Sequence, residues 1–150
     1  MFHNDREKIQ ADWQEEMYPK SDSIMIKNGF YCLFESPGRE KKIKNKTWIP
    51  ALDFGSTTSI TCEGLATIST TEDSEGNVIH CGECLASGED GFVAMTNKNT
   101  DELIWLIVLS NTNPFQKIEF SQDCILATSS NGTTLTIPQD RPDNLFIDWS

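Results

Sequence analysis

Positive charge is scarce in most of this chain. Residues 47–150 hold 3 Lys/Arg against 15 Asp/Glu, a net charge of −12, whereas residues 1–46 hold 9 against 8. The whole chain of 150 residues has a net charge of −11 at neutral pH. Such a field repels nucleic acids and anionic membranes and attracts basic proteins. We therefore expect a basic protein as partner, and neither a nucleic acid nor a membrane.

Histidine is also scarce, which limits the enzyme chemistries open to the chain. His3 and His80 are the only two. A Cys81 nucleophile cannot readily use His80 as its base, because adjacent side chains on a strand point to opposite faces. There is no Gly-x-Ser-x-Gly elbow, and the abundance of Asp/Glu makes paired carboxylates uninformative by themselves. We predict no catalytic residues and no enzyme, with a small hydrolase based on carboxylates or Cys81/Cys84 as an alternative.

Long apolar segments are absent as well. The longest apolar run, Leu103–Leu109, is too short to cross a bilayer as a helix. The N-terminal segment MFHNDREKIQ is charged and has no apolar stretch, unlike a secretory signal. These features predict a cytoplasmic protein.

The cysteines are few and odd in number. They are Cys32, Cys62, Cys81, Cys84 and Cys124. Without a secretory signal, an odd count favours reduced thiols over a disulfide framework. Cys81 and Cys84 have the spacing of half a zinc site, but no second pair follows, and the residues after Cys81 do not begin a helix as a redox motif requires. We predict no metal and no cofactor, and we interpret the cysteines as small buried hydrophobic residues.

The length and patterning predict a single domain, 1–150, with one N-terminal helix over 5–17 and a β domain over 23–150. Asn4 is a suitable N-cap with Glu7 three residues later, and Ile9, Trp13 and Met17 recur on one helical face. The helix should end before Pro19.

Short strands separated by turn signals follow the helix. Asn28-Gly29 and Asn131-Gly132 predict two-residue hairpin turns, and Leu103–Leu109, apolar on both faces, should be a central strand. Regular strands with short turns indicate an α+β fold, mainly antiparallel β, as a sandwich or a barrel-like sheet with at least seven strands. The expected strands are Ile24–Lys27, Phe30–Glu35, Lys41–Ile49, Thr58–Cys62, Leu65–Thr70, Val78–Leu85, Phe92–Thr96, Leu103–Leu109, Phe115–Phe120, Cys124–Thr128, Thr134–Ile137 and Leu145–Trp149.

Two further segments invite a functional interpretation. Asp53-Phe54-Gly55 resembles the metal-binding triplet of kinases, and Leu52–Ser59 resembles the first phosphate loop of the actin and heat-shock ATPases, yet both families need much longer chains. We interpret this segment as a loop in which Gly55 allows a turn. The basic run Arg39–Lys46 lacks interleaved aromatics for base stacking. It should be an exposed edge strand or loop, or else should contact the acidic surface.

The acidic residues should gather at one end of the sheet. If the strands from residue 64 onward form an up-and-down meander, alternate loops at about 71–76, 97–102, 121–123 and 138–144 share one end, with a net charge of −6. The expected partner-binding residues are Glu72, Asp73, Glu75, Asp101, Glu102, Asp123, Asp140 and Asp143. The same charges could instead serve solubility alone.

In size, charge, composition and architecture the chain resembles the small acidic immunity proteins of bacterial contact-dependent growth inhibition systems. No motif carries this resemblance, so no functional residue is transferred. It implies a cytoplasmic, non-catalytic, single-domain protein that neutralises one toxin domain, often a basic nuclease. The alternative is another acidic binding module, such as a secretion chaperone or a nucleic-acid mimic.

Overall fold

The N-terminal helix α1 spans Asp5–Gln14 and ends earlier than the sequence pattern predicts. The computed structural model describes residues 2–20, 22–36, 40–57 and 61–149, with the backbone alone at 55–57. The Asn4 side chain accepts a hydrogen bond from the Glu7 amide at 2.8 Å and caps the helix. The prediction of a helix to residue 17 is wrong, because Glu16 takes a left-handed backbone (φ 55°) and Met17–Pro19 forms strand β1.

The strands fill most of the remaining chain and pair antiparallel, which confirms the predicted α+β sandwich-like class. They are β1 (Met17–Pro19), β2 (Ser23–Ile26), β3 (Phe30–Glu35), β4 (Lys44–Pro50), β5 (Thr61–Glu63), β6 (Leu65–Glu72), β7 (Asn77–Cys84), β8 (Ser87–Asn97), β9 (Leu103–Leu109), β10 (Phe115–Ser121), β11 (Cys124–Ser129), β12 (Thr134–Pro138) and β13 (Phe146–Asp148). A short helix, α2 (Ala51–Thr57), follows β4, and a 3-10 turn (Pro142–Asn144) precedes β13.

The described strands form three sheets. The largest has seven strands in the order β4-β3-β2-β9-β8-β7-β6, so the apolar strand β9 is central, as predicted. The second is the four-stranded meander β10-β11-β12-β13, and the third is the small ribbon β1-β5. The prediction of one continuous meander from residue 64 onward is therefore wrong: the chain leaves the seven-stranded sheet after β9 and builds a second sheet.

Two apolar clusters cover the two faces of the seven-stranded sheet. On one face Ile24, Trp105 and Ile107 pack in one cluster with residues of the four-stranded sheet, including Ile125 and Leu135. The other face holds Met25, Tyr31 and Leu106 together with Ile9 of α1 and Phe54 of α2. Strand β9 contributes side chains to both clusters. Burial of each of its large apolar side chains stabilises the fold by roughly 1.5–3 kcal/mol.

The segment 51–57 is a helix rather than the predicted loop. Phe54 is 6% exposed and its ring stacks on Tyr31 with centroids 4.5 Å apart. The apolar residue of the Asp53-Phe54-Gly55 triplet thus covers the sheet. Thr58, Ser59 and Ile60 lie outside the described residues, so the expected strand Thr58–Cys62 is seen only as β5.

Both Asn-Gly pairs lie in hairpin turns, but the turns are longer than two residues. Ile26 pairs with Phe30, and Gly29, between them, has a φ of 103°. In the second hairpin the Ser129 amide donates to the carbonyl of Thr133 at 2.8 Å, and Gly132 has a φ of 91°. Glycine suits both positions because it tolerates a positive φ.

Candidate functional site

Loops from both large sheets meet at one end of the molecule. In an antiparallel meander alternate loops share an end. The β6–β7 turn and the β8–β9 turn come from the seven-stranded sheet, while the β10–β11 turn and the turn after β12 come from the four-stranded sheet. The alternation that the sequence predicted therefore holds within each sheet, and the sheets pack so that their acidic turns adjoin.

The adjoining turns line an open groove of about 480 Å³, here called the acidic groove. Its exposed aromatic side chain is Phe120, which is 40% exposed. The acidic residues of the groove are Glu72, Asp73, Glu75, Asp123 and Asp140. The structure thus brings together five of the eight residues expected from the sequence.

A second groove of about 500 Å³ shares a wall with the acidic groove. Glu75 and Asp140 line both grooves, and Glu102 lines the second. Arg6 of α1 and Lys27 of the β2–β3 turn also line it. The charge count from the loops alone missed these two cations, because they come from the N-terminal part of the chain, and so this flank is less acidic than predicted.

Asp101 lies next to Glu102 in the exposed β8–β9 turn. Its backbone is left-handed (φ 62°), and its amide donates to the carbonyl of Asn97 at 2.8 Å. Its charge also acts on His80, where burial lowers the pKa of the imidazole and Asp101 opposes that shift. Asp101 is thus an exposed charge of this end and also a residue of a constrained turn.

Asp73 has a structural role within the groove. Its Oδ1 accepts hydrogen bonds from the amides of Glu75 and Asn77 at 2.8 and 2.9 Å, and its Oδ2 accepts from the Asn77 side chain. Burial acts to raise the pKa of Asp73, but these donors outweigh it and hold the pKa below its usual value. The carboxylate therefore stays ionised and fixes the turn that presents Glu75.

Glu72 is partly neutralised at the surface. The ammonium of Lys98 lies 2.9 Å from its carboxylate, and both side chains are more than half exposed. Such exposed pairs contribute little to stability, roughly 0–1 kcal/mol. Lys98 therefore lowers the local negative charge more than it holds the fold.

Asp143 does not belong to the acidic surface, contrary to the sequence expectation. Its side chain is 5% exposed and is held by Arg141 at 3.0 Å and by Lys46 at 3.4 Å. Burial acts to raise the pKa of Asp143, but the hydrogen bond from Arg141 and the charge of Lys46 outweigh it and lower the pKa. Lys46 of the basic run thus contacts a buried acid rather than the acidic surface. Strand β4, which carries Lys46, is an edge strand as expected. Arg39 lies outside the described residues.

All five cysteines are free thiols. Cys81 is buried between the two large sheets, whereas Cys84 is buried on the helix side, because three steps along a strand reverse the face. Burial raises the pKa of Cys81 to about 11 and that of Cys84 to about 12. The thiols of Cys81 and Cys84 therefore do not converge on one metal ion. No cluster of three or more metal-ligating side chains occurs within the described ranges.

A separate cavity of about 370 Å³ lies at the opposite end, near Tyr18 and Cys62. Asp22 accepts from the amide and the hydroxyl of Ser110 at 2.8 and 2.6 Å, and Asp90 accepts from the Asn111 amide at 3.3 Å. Burial raises the pKa of Asp90, and the charge of Asp22 adds to this shift. Sequence reasoning missed these residues, since no local pattern relates positions so far apart, and their contacts hold the turn after β9.

His80 and Cys81 lie on opposite sides of β7, as the strand geometry predicts. The His80 ring nitrogen is 2.9 Å from the Thr96 hydroxyl. The imidazole is therefore already engaged and faces away from the Cys81 thiol.

Comparison with known proteins identifies no relative. No protein-family model matches the chain, and the searches of curated proteins and of solved structures gave no match. In the part of the chain that the structure describes, no helix is long and apolar enough to cross a membrane.

Proposed function

We propose that this is a non-catalytic, cytoplasmic binding protein that recognises a basic protein through the acidic groove. An immunity protein or inhibitor that neutralises a basic toxin domain, such as a nuclease, is the form of this function that we favour. The observation that carries the proposal is the convergence of acidic turns from two different sheets on one groove.

The chemistry of the groove suits a cationic protein surface. The exposed residues Glu75, Asp123 and Asp140 line the same groove as Phe120. An aromatic face beside carboxylates accommodates a lysine or arginine side chain, since the ring attracts the cation and the carboxylates pair with it. At interfaces of this kind, complementary charge mainly raises the association rate constant. A few buried side chains mainly lower the dissociation rate constant.

A catalytic role has less support from the same residues. Asp73 is committed to its turn, Glu72 is paired with Lys98, and the thiols of Cys81 and Cys84 are buried with raised pKa values. The groove is open rather than enclosed, whereas catalysis is favoured by a site that excludes water.

Affinity capture with charge variants tests the proposal. The protein is immobilised and exposed to an extract of the cells it comes from, and bound proteins are identified by mass spectrometry. We expect a basic protein to be retained by the wild type, and its retention to fall at least about tenfold with Glu75→Lys/Asp123→Lys, because two contacts become repulsive.

The matched control is Glu63→Lys/Glu89→Lys. These two glutamates are exposed and carry the same charge, but they lie at or near the opposite end. The control should retain the partner as the wild type does. An acidic partner, a nucleic acid, or equal loss of binding in both variants contradicts the proposal.

A further inference from the structure

The strand β6 forms one edge of the seven-stranded sheet, where β7 is its hydrogen-bonded neighbour and its first amide, that of Leu65, donates to the Glu16 carboxylate at 2.9 Å. From Leu65 to Thr71 it contains no charged residue and no proline. An exposed strand edge offers a row of unpaired backbone donors and acceptors, and proteins usually block it with lysine, proline or a very short strand. The charged residues that flank this stretch are Glu63 of β5 and Glu72, the last residue of β6.

The other edges of the two large sheets carry such blocks. The opposite edge, β4, has Lys44 and Lys46 and ends at Pro50. In the four-stranded sheet, β10 carries the exposed pair Lys117–Glu119, and β13 has only three residues. Among the described strands of these sheets, β6 is therefore the long edge without a charged or proline block.

The β6 edge also leads directly into the acidic groove. A register shift between Thr67 and Ser69 leaves Ile68 at a bulge, where its side chain is 52% exposed. Beyond it, residues 69–72 pair regularly with β7, and the last of them, Glu72, lines the groove. Along β6, the exposed Ile68 is thus followed by the regularly paired residues 69–72 and then by the acidic groove.

We propose that the basic partner adds an extended strand to this edge, antiparallel to β6, with lysine or arginine at the N-terminal end of the added strand. This inference rests on the proposed function and specifies its mode of recognition. In the antiparallel orientation the N-terminus of the added strand lies beside the C-terminus of β6, where Glu72, Asp73 and Glu75 stand. Backbone hydrogen bonds then supply affinity for any extended strand, and the charges determine the orientation of the added strand.

The charge of the chain favours this occupant over a second copy of the chain. Two antiparallel β6 edges would bring Glu72 of one copy toward Glu63 of the other, and each chain has a net charge of −11. Like charges in that arrangement repel one another. A partner strand with a basic N-terminal end meets the same carboxylates with attraction.

The test uses a synthetic peptide, acetyl-Lys-Lys-Thr-Val-Thr-Val-Thr-amide, as probe. Binding is followed by nuclear magnetic resonance of the backbone amides, and exchange with deuterium reports hydrogen bonding. The Asp73 amide donates to Asn77 of β7, so within residues 69–72 the amides that face the open edge are those of Thr70 and Glu72. We expect these two amides to shift and their exchange to slow. A peptide with proline in place of the first valine, and one with the two lysines at the C-terminal end, should each bind at least about tenfold more weakly.

Protein variants separate the edge from the groove. Ile68→Lys/Thr70→Lys should weaken probe binding at least about tenfold, because both side chains are exposed on the edge and the new charges repel the peptide. The matched control, Trp48→Lys/Thr47→Lys, makes a comparable change at the exposed β4 edge and should leave binding unchanged. Circular dichroism and thermal unfolding of each variant serve to check that both variants are folded.

Three outcomes would overturn the inference. If the proline peptide binds as well as the probe while Glu75→Lys/Asp123→Lys abolishes binding, the groove alone recognises cations, and the proposed function stands without strand addition. If the amides of Thr70 and Glu72 do not respond, the edge is not used. If they are protected without peptide in proportion to protein concentration, the occupant is a second copy.

Discussion

The Asp143 carboxylate joins distant parts of the chain. Arg141 donates to Oδ1 from Nε and to Oδ2 from Nη2, at 3.1 and 3.0 Å, and Lys46 reaches Oδ2 from the edge strand β4. Since Asp143 is almost fully buried, its partners replace the water that an exposed carboxylate would bind. This residue therefore links the 3-10 turn to the seven-stranded sheet.

We predict that Asp143→Asn lowers the free energy of unfolding by about 1–3 kcal/mol at neutral pH, because hydrogen bonds to a charged group are lost. The folded-state pKa of Asp143 is lowered, so its stabilisation is present above the unfolded-state pKa of about 4 and is lost as pH falls through the folded value. Urea denaturation at several pH values measures both effects.

The control for this prediction is Asp148→Asn on β13, where the carboxylate is exposed. It should change stability by less than about 0.5 kcal/mol. Equal stability of Asp143→Asn and wild type at neutral pH would show that the ion pairs do not hold the fold.

At the scale of elements, β6 and β7 approach more closely than a side chain allows. A Cβ added at Gly82 of β7 would lie 1.9 Å from the carbonyl oxygen of Ala66. The register between these strands shifts nearby, between Thr67 and Ser69. Glycine at this position therefore permits the bulge that exposes Ile68.

We predict that Gly82→Ala destabilises the protein by about 1–3 kcal/mol, because the backbone of β6 must move to relieve the overlap. Thermal unfolding followed by circular dichroism measures the loss. Gly88→Ala is the control, since the nearest atom to its added Cβ is a flexible Glu83 carboxylate oxygen at 3.8 Å. A melting temperature as low for the control as for Gly82→Ala would refute the steric explanation.

The sequence predicts the long strands well because their signals are local. The alternation of β11, the apolar run of β9 and the glycine turns can be interpreted without knowledge of the rest of the fold. Strand β1, its pairing with β5, and helix α2 were missed because they depend on tertiary partners: Tyr18 pairs with Cys62, and Phe54 stacks on Tyr31. The same pairing explains why α1 ends early.

The candidate site is predictable to a similar extent. Antiparallel alternation predicts that Glu75, Asp123 and Asp140 share one end, and the packing of the two sheets places them on one groove. It gives no information about residues that arrive from elsewhere, such as Arg6 and Lys27. Nor could it show that Asp143 turns inward toward a lysine 97 residues away.

At the scale of the whole molecule, acidic turns of both large sheets share one end. The groove end presents carboxylates from both sheets, with Lys98 paired to Glu72 and Arg141 committed to Asp143. Two of the cations near this end are thus paired with individual acids, while Arg6 and Lys27 line the second groove. A basic partner approaching from solution is attracted to the end where exposed carboxylates remain.

Rate constants for the captured basic partner should separate the two contributions of this end. Exposed charges mainly set association, whereas buried anchors set dissociation. We predict that Asp101→Asn/Glu102→Lys slows association with little change in dissociation, and that Phe120→Ala speeds dissociation instead. Asparagine at position 101 keeps the left-handed backbone that the turn requires.

Surface plasmon resonance over a series of salt concentrations measures both constants. Association of the wild type should fall steeply with salt, because the Debye length shrinks from about 10 Å at 0.1 M to about 3 Å at 1 M. The control Glu63→Lys/Glu89→Gln changes the net charge by the same amount but alters exposed residues at or near the other end. If it slows association as much as Asp101→Asn/Glu102→Lys does, total charge rather than the placement of the acidic turns governs the encounter.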